Sequence, residues 1–171
     1  MPVAATDSWT GTPTEQVFSP GFFDRSADLV APDLLGVRLV STVGGKRTVG
    51  VIVEVEAYIG AQDPASHAAA RIGRTRRNRT MFGRSGMAYV YLSYGVHWCL
   101  NIVTGSENDP CAVLVRAADP LEGVDFMVER RHGYRDLASG PGRLGQAFGV
   151  TGELDGHDLS IPPLRLLPGW L

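Results

Sequence analysis

The chain has 171 residues, of which 44% are hydrophobic, and its 18 acidic and 16 basic residues give a net charge of -2. This length and composition predict one packed domain rather than two. The charge balance excludes a protein that binds polyanions over its whole surface, so any contact with nucleic acid must be local.

The chain begins with residues 1–16, which are rich in Thr, Ser, Pro, Ala and Gly and show no apolar periodicity. They predict a mobile N-terminal arm. Farther along, Ser26 is a plausible helix N-cap and Gly36 a plausible helix stop, with a short apolar segment between them. Pro32 lies within this predicted helix and is expected to kink or restart it.

Strand patterns dominate the middle of the chain and predict a β-sheet. Residues 37–42 and 48–58 are expected to pair as a hairpin across the turn Gly44-Gly45. Three further strand-like runs and two helices then follow, the strands at 87–92, 99–103 and 112–117 and the helices at about 124–131 and 143–148. This order predicts a single α+β domain over residues 17–171, with a curved, mostly antiparallel sheet that forms a partial barrel and a few flanking helices.

The strand from Val51 to Tyr58 alternates apolar residues with two carboxylates and an aromatic ring. Because successive side chains point to opposite faces, one side is expected to be core and the other to carry Ile52, Glu54, Glu56 and Tyr58, with the two acids and the phenol in a row about 7 Å apart. The predicted core side consists of Val51, Val53, Val55 and Ala57. A carboxylate beside a flat ring is suited to activating water against a bound planar group. The alternative is a half-exposed strand with ordinary acidic residues outward.

Arginines are concentrated in one turn-like segment after this strand: Arg71, Arg74, Arg76, Arg77 and Arg79, with Arg84 just beyond. In a chain that is acidic overall, such a cluster is a strong local positive field and favours contact with a phosphate backbone. The alternative is a solvated loop whose arginines pair with acidic residues elsewhere.

An aromatic run follows the arginines. Alternation places Tyr89 and Tyr91 on one face of a strand, and the step Tyr94-Gly95 predicts a turn that holds Tyr94 at an exposed corner. An exposed ring beside a basic loop is suited to stacking on, or wedging between, bases. The alternative is that these tyrosines are core residues with hydrogen-bonded tips.

The remaining motifs exclude several chemistries. Residues 140–145, Gly-Pro-Gly-Arg-Leu-Gly, match the glycine pattern of a dinucleotide-binding motif. That motif needs a strand before its first glycine, and residues 135–139 do not have a strand pattern. We therefore expect a loop that opens a helix, and no nucleotide cofactor. The sole lysine, Lys46, lies in a predicted hairpin turn, which argues against a lysine Schiff base. His67 is not part of a cluster of His or Asp residues at metal-ligand spacing, and no metal is expected.

Cellular context follows from two further observations. Cys99 and Cys111 lie in apolar runs without a disulfide-rich context and are expected to be buried thiols. The N-terminus lacks the pattern of a signal peptide, and no run approaches the roughly 18 apolar residues of a membrane span. We therefore expect a cytoplasmic protein without a membrane partner.

Together these motifs resemble the alkyladenine (3-methyladenine) DNA glycosylase family. The resemblance runs from about Phe22 to Ser160 in the family's order and near its spacing. It is carried by Glu56-Ala-Tyr58, His67, 77–82 (Arg-Asn-Arg-Thr-Met-Phe), 89–95 (Tyr-Val-Tyr through Tyr-Gly), Asn101, 112–116 (Ala-Val-Leu-Val-Arg), 120–123 (Pro-Leu-Glu-Gly), 140–147 (Gly-Pro-Gly-Arg-Leu-Gly-Gln-Ala) and Asp158-Leu159.

The resemblance implies a monofunctional base-excision repair enzyme. Such an enzyme flips an alkylated or deaminated purine nucleotide out of double-stranded DNA and hydrolyses its N-glycosidic bond, leaving an abasic site and needing no cofactor. We expect a monomer associated with the nucleoid. The alternative is a damage-binding protein that does not cleave, and a further one is a hydrolase of free nucleosides.

The resemblance also assigns a role to each candidate residue. It implies that Glu56 is the general base, which leaves Glu54 as a structural or supporting acid. It also implies that Arg116 helps to hold the attacking water and that Tyr94 fills the gap left in the base stack. It further implies a base pocket walled by Tyr58, His67 and Tyr91, with Asn101 crowding a purine that bears an exocyclic amine, and phosphate contacts from Arg74, Arg76, Arg77 and Arg79. One departure is that family members usually continue past residue 159 through further strands that close the sheet, whereas residues 161–171 do not make an obvious strand. We expect either a shortened ending that packs differently or a domain that lacks the family's C-terminal strands.

Overall fold

The computed structural model describes residues 16–60, 63 and 73–169. The predicted N-terminal arm therefore lies outside the described residues except for Gln16. His67, one of the candidate pocket residues, lies outside them as well, and so does Arg71 of the arginine cluster.

A six-stranded antiparallel sheet, curled into a half-barrel, forms the centre of the molecule and confirms the predicted α+β class. Its strand order is β3-β4-β5-β2-β1-β6. The strands are β1 (Arg38–Ser41), β2 (Thr48–Tyr58), β3 (Ala88–Ser93), β4 (His97–Thr104), β5 (Cys111–Glu122) and β6 (Leu164–Leu167).

Three α-helices accompany the sheet within the described residues: α1 (Ala27–Leu34), α2 (Val124–Arg130) and α3 (Pro141–Ala147). Their apolar faces cover one side of the sheet, where Leu34 of α1 and Leu144 of α3 join the main core together with Phe148, and all three are fully buried. The predicted helices are confirmed, with α1 containing Pro32 in its last turn. No helix among the described residues has the length and apolar character to cross a membrane.

The β1-β2 hairpin closes across Gly44 and Gly45, whose positive φ angles of 65° and 73° suit glycine. The predicted hairpin is thus confirmed. At the other side of β1, strand β6 pairs antiparallel with it and buries Leu164, Leu166 and Leu167. The sequence pattern had not indicated this strand.

Strand β2 does not keep one face toward the core along its length. Ile52 is fully buried whereas Val53 is 46% exposed, and Val55 and Ala57 then pack against the core. The predictions that Val51 and Val53 belong to the core face and that Ile52 belongs to the opposite face are therefore wrong. The reason is an irregularity in the β2-β5 pairing: Ile52 pairs with Ala118 and Glu54 with Ala117, which leaves Val53 unpaired and shifts the alternation by one residue.

Candidate functional site

The register of the sheet brings the candidate residues from four strands onto one face. Across the central strands, Tyr89 pairs with Asn101, Asn101 with Leu114, and Leu114 with Glu56. Residues directly opposite each other on neighbouring strands point to the same side of a sheet. The four residues therefore form a row on the side of the sheet opposite the main core, which we call the site face.

The rows on either side add the other candidates. Tyr58 of β2 pairs with Ala112, which pairs with Val103, while Tyr91 of β3 pairs with Cys99. An apolar cluster covers this part of the site face, built from Met81, Tyr89, Val103 and Ala112 with Tyr58, Phe82, Met87 and Tyr91 packed against it. The rings of Tyr89 and Tyr91 lie 5.6 Å apart, which confirms their predicted common face.

A network of carboxylates and donors lies at the edge of this cluster. Glu56 accepts hydrogen bonds from the Tyr58 hydroxyl at 2.9 Å and from Nη1 of Arg116 at 2.7 Å. The Nε of Arg116 donates in turn to Glu54 at 2.9 Å. The side chain of Glu56 is 40% exposed. Its carboxylate is therefore held by two donors and remains open to solvent, which leaves acceptor sites for a water molecule.

The environment keeps the surrounding groups in defined protonation states. Burial, and then the hydrogen bond to Glu56, raise the pKa of Tyr58 well above its usual range. Burial also raises the pKa of Tyr91 to about 12. The hydrogen bond to Glu54 is the largest of the influences that raise the pKa of the Arg116 guanidinium. The phenols therefore stay neutral donors, and Arg116 stays a cation, at physiological pH.

Asn101 is 2% exposed and lies between β3 and β5 on the site face. Its Nδ2 donates to the carbonyl oxygen of Tyr89 at 3.2 Å. Glu56 lies two strands away, which is about 10 Å at the usual strand spacing. The amide is thus fixed in orientation at the floor of the site face.

Tyr94 projects from the tip of the β3-β4 hairpin with 97% of its surface exposed. Tyr94 and Gly95 both have positive φ, at 51° and 67°, and the amide of Val96 donates to the carbonyl of Ser93. Such a backbone suits a tight hairpin turn but is rare for a tyrosine. The predicted exposed corner is confirmed, and the exposed Val96 lies beside it.

The described part of the arginine segment is a loop organised by Asn78. The buried Asn78 side chain accepts from the amide of Thr75 and donates to the carbonyl of Gly73. Arg77 donates to the carbonyl of Leu92, which ties the loop to β3. All four candidate arginines are exposed: Arg74, Arg76, Arg77 and Arg79.

Charge pairing distinguishes these arginines from those nearby. Arg84, just after the segment, forms an ion pair with Asp158. No described carboxylate pairs with Arg74, Arg76 or Arg79. The alternative of a loop neutralised by acidic residues therefore has no support in the part of the chain that the structure describes.

The glycine motif has a packing role beside the Tyr94 hairpin. A Cβ at Gly145 would lie 2.2 Å from the carbonyl oxygen of Trp98, and one at Gly142 would lie 2.8 Å from Cγ of His97. These glycines let helix α3 approach the first residues of β4 closely. As predicted, no strand leads into this motif, which opens helix α3.

Two features of the site escaped the sequence reasoning. Cys99, interpreted only as a buried thiol, pairs with Tyr91 on the site face, and burial raises its pKa. Its spacing of two residues from Asn101 was a signal that both side chains share a face. The second is the ion pair of Glu54 with Arg116: the expectation was a structural or supporting acid, but the sequence held no signal for its partner. Within the described residues, no group of three or more His, Cys, Asp or Glu side chains could hold a metal ion.

Comparison with known proteins adds independent information. Residues 21–169 match the family model described as Methylpurine-DNA glycosylase. A protein of Rhodopseudomonas palustris strain BisB18, named "Putative 3-methyladenine DNA glycosylase", is 50% identical over 148 residues, which are 85% of this chain and 70% of that protein. Proteins with the same name from Methanoculleus marisnigri and Burkholderia lata are 51% and 47% identical, over 85% and 88% of this chain and 74% and 70% of their own lengths.

Proposed function

The chain belongs to the methylpurine-DNA glycosylase family, and from this premise we propose that it is a 3-methyladenine DNA glycosylase that hydrolyses the N-glycosidic bond of damaged purines in double-stranded DNA. The observation that carries the proposal is the Glu56 carboxylate, held by Arg116 and Tyr58 beside a cluster of aromatic rings. This arrangement combines a base for water with flat surfaces for a planar leaving group.

Glu56 serves as the general base in this proposal. Its carboxylate takes a proton from water as the oxygen attacks the sugar carbon C1′ and the bond to the base nitrogen breaks. Departure of the base leaves positive charge on the sugar, which the adjacent carboxylate stabilises. Arg116 and Tyr58 hold the carboxylate in place, so that no reorientation is needed during the reaction. Because an alkylated purine is already electron-poor, it needs little assistance in leaving.

The aromatic part of the site face forms the base pocket. Tyr58 and Tyr91 offer electron-rich faces, on which a positively charged alkylated base stacks more favourably than a neutral one. Asn101 lies at the floor and crowds a purine that carries an exocyclic amine, which discriminates against normal guanine. His67 completes the wall in this proposal, although it lies outside the described residues.

Tyr94 and the arginine segment engage the DNA. Tyr94 enters the gap that the flipped nucleotide leaves and offsets an unstacking cost of a few kcal/mol. Arg74, Arg76, Arg77 and Arg79 contact phosphates. Two of the observations above support these roles: Tyr94 is almost fully exposed, and three of the arginines have no described acidic partner.

Hydrolysis without strand cleavage agrees with the position of the only lysine side chain. Lys46 pairs with Glu129 at 2.7 Å, in the turn before β2. From Thr48 to Glu56 the strand extends about 26 Å at roughly 3.3 Å per residue. Lys46 is thus too far from the site to form a Schiff base with the sugar. The proposed site groups come from one chain, so we propose that a monomer acts alone.

The test is an excision assay on duplex DNA that carries one 3-methyladenine or hypoxanthine, followed by alkali to cleave abasic sites. The proposal expects strand breaks at the lesion only after alkali. Breaks without alkali would contradict the monofunctional reaction, and binding without breaks by folded protein would establish the damage-binding alternative. Faster hydrolysis of free nucleosides than of DNA would favour a nucleoside hydrolase, in which Tyr94 has no role.

A further inference from the structure

We infer that Glu54 is a positioning residue, which fixes the guanidinium of Arg116 and through it the carboxylate of Glu56. This inference rests on the proposed function, because it concerns the step in which Glu56 activates water. Glu54 itself touches neither the proposed water nor the base. It acts on the reaction only through Arg116.

The geometry of the three side chains supports this role. Arg116 donates through Nε to Glu54 at 2.9 Å and through Nη1 to Glu56 at 2.7 Å. These nitrogens are two different corners of one rigid, planar group. A single hydrogen bond would leave the guanidinium free to rotate about that contact, whereas two bonds to separate carboxylates fix its position and its tilt. Glu54 therefore limits the orientations in which Arg116 can reach Glu56.

The backbone is shaped to bring these residues together. Along the β2-β5 pairing, Val53 has no partner between Ile52 and Glu54. On the opposite strand, Glu54 pairs with Ala117 and Val55 with Val115, so that Arg116 has no partner either. Each strand thus carries one extra residue, and the pair Glu54-Ala117 lies between the two irregularities. Bulges of this kind redirect a side chain without ending the sheet.

The two bulges have opposite consequences for register and compensate each other. After both of them, β2 and β5 resume regular pairing from Val55 to Tyr58. The two unpaired residues are Val53 and Arg116, so that the bond between Glu54 and Arg116 joins the two bulges; a third register shift lies farther back on the same strands, between Val49 and Gly50. The pair of Arg47 and Glu122, at 3.2 Å, lies at the other end of the same strands.

Solvent exposure sets the size of the expected effect. The side chains of Arg116 and Glu54 are 37% and 59% exposed, so their ion pair adds little stability. Misorientation of a reacting group by about 1 Å nevertheless costs up to about 100-fold in rate. Removal of Glu54 should thus slow catalysis more than it weakens the fold. The raised pKa of Arg116, of which the bond to Glu54 is the largest cause, agrees with this contact.

The experiment measures single-turnover excision by the full chain from duplex DNA that carries 3-methyladenine or hypoxanthine, whichever lesion the wild type excises faster. Glu54→Ala should slow excision roughly five- to tenfold at saturating protein, without changing the protein concentration for half-maximal rate. Glu54→Gln keeps an oxygen that accepts from Nε and should restore at least about half of the wild-type rate. Glu122→Ala, which removes the matched exposed pair, should excise at the wild-type rate.

A double-mutant cycle separates positioning from damage to the scaffold. If Glu54 acts through Arg116, Glu54→Ala should slow excision no further in a protein that already carries Arg116→Ala. An equal loss in both backgrounds would overturn the inference, and so would a Glu54→Ala protein with the wild-type rate. Failure of the wild type to excise both 3-methyladenine and hypoxanthine would instead overturn the proposed function.

Discussion

Replacing Glu56 with Gln tests the centre of the proposed mechanism. Gln has nearly the same shape as Glu, and its amide oxygen can still accept from Arg116 at the position now occupied by the carboxylate, 2.7 Å away. The amide nitrogen would then face the Tyr58 hydroxyl, which can rotate and accept. The contacts survive, but the base is lost. General base catalysis contributes about 100- to 10,000-fold, so we expect excision to slow by at least about 100-fold.

The same substitution should have little effect on folding and DNA binding. Glu56 is 40% exposed, and Arg116 keeps its bond to Glu54, so the free energy of unfolding should fall by about 1 kcal/mol or less. In a protein of this size that lowers the melting temperature by about 2–4 °C. The assay is single-turnover excision of hypoxanthine, with DNA binding measured by fluorescence anisotropy. The reasoning is refuted if Glu56→Gln retains more than a tenth of the wild-type rate, or if Glu54→Gln abolishes excision instead.

Three other perturbations test the surroundings of this carboxylate. Tyr94→Ala should slow excision from duplex DNA about tenfold but leave excision from single-stranded DNA unchanged, because only a duplex has a base stack to fill. The melting temperature should not change, because the ring is 97% exposed. Equal slowing on both substrates would contradict the insertion of Tyr94 into the base stack. Gly142→Ala should lower the melting temperature by about 2–10 °C, because its Cβ would lie 2.8 Å from Cγ of His97. An unchanged melting temperature would contradict this and show that His97 moves aside at no cost in stability. Since burial raises the pKa of Tyr91 to about 12 and that of Tyr58 also rises, both phenols keep their protons in the folded state above pH 10, where unfolded tyrosines lose them. Stability from these groups is therefore fully present below about pH 10 and lost as the pH rises toward 12. Between pH 8 and 12 the melting temperature should fall less steeply for the double variant Tyr58→Phe, Tyr91→Phe than for the wild type, and an equal fall in both proteins would refute this.

Local patterns in the sequence were sufficient to predict most elements of the sheet. The alternation in β2 and β3 placed Tyr58 beside Glu56 and Tyr89 beside Tyr91, and the glycine pairs marked the turns. These predictions held because each depends on residues that are near one another along the chain. The resemblance then identified Arg116, which alternation alone could not connect to Glu56 across 60 residues.

The elements that escaped prediction depend on pairing between distant segments. Strand β6 is short, follows two prolines and pairs with β1, more than 100 residues earlier in the chain, so its strand character comes from that partner. The exposure of Val53 likewise depends on which residues of β5 lie opposite. A pattern of apolar residues in one strand carries no information on where its partner skips a residue.

These pairing irregularities matter to the proposed mechanism because they lie on either side of Glu54, the carboxylate that is not proposed as the base. In a regular strand Glu54 and Glu56 would be equivalent, two acids on one face about 7 Å apart. In the structure, Glu54 lies between the two bulges and bonds to the unpaired Arg116, while Glu56 lies in regular pairing and has a second donor in Tyr58. Only Glu56 then combines a fixed orientation with contact to the aromatic cluster. In the proposed mechanism, the difference between the base and its support thus follows from where each acid lies in the β2-β5 pairing rather than from the acids themselves.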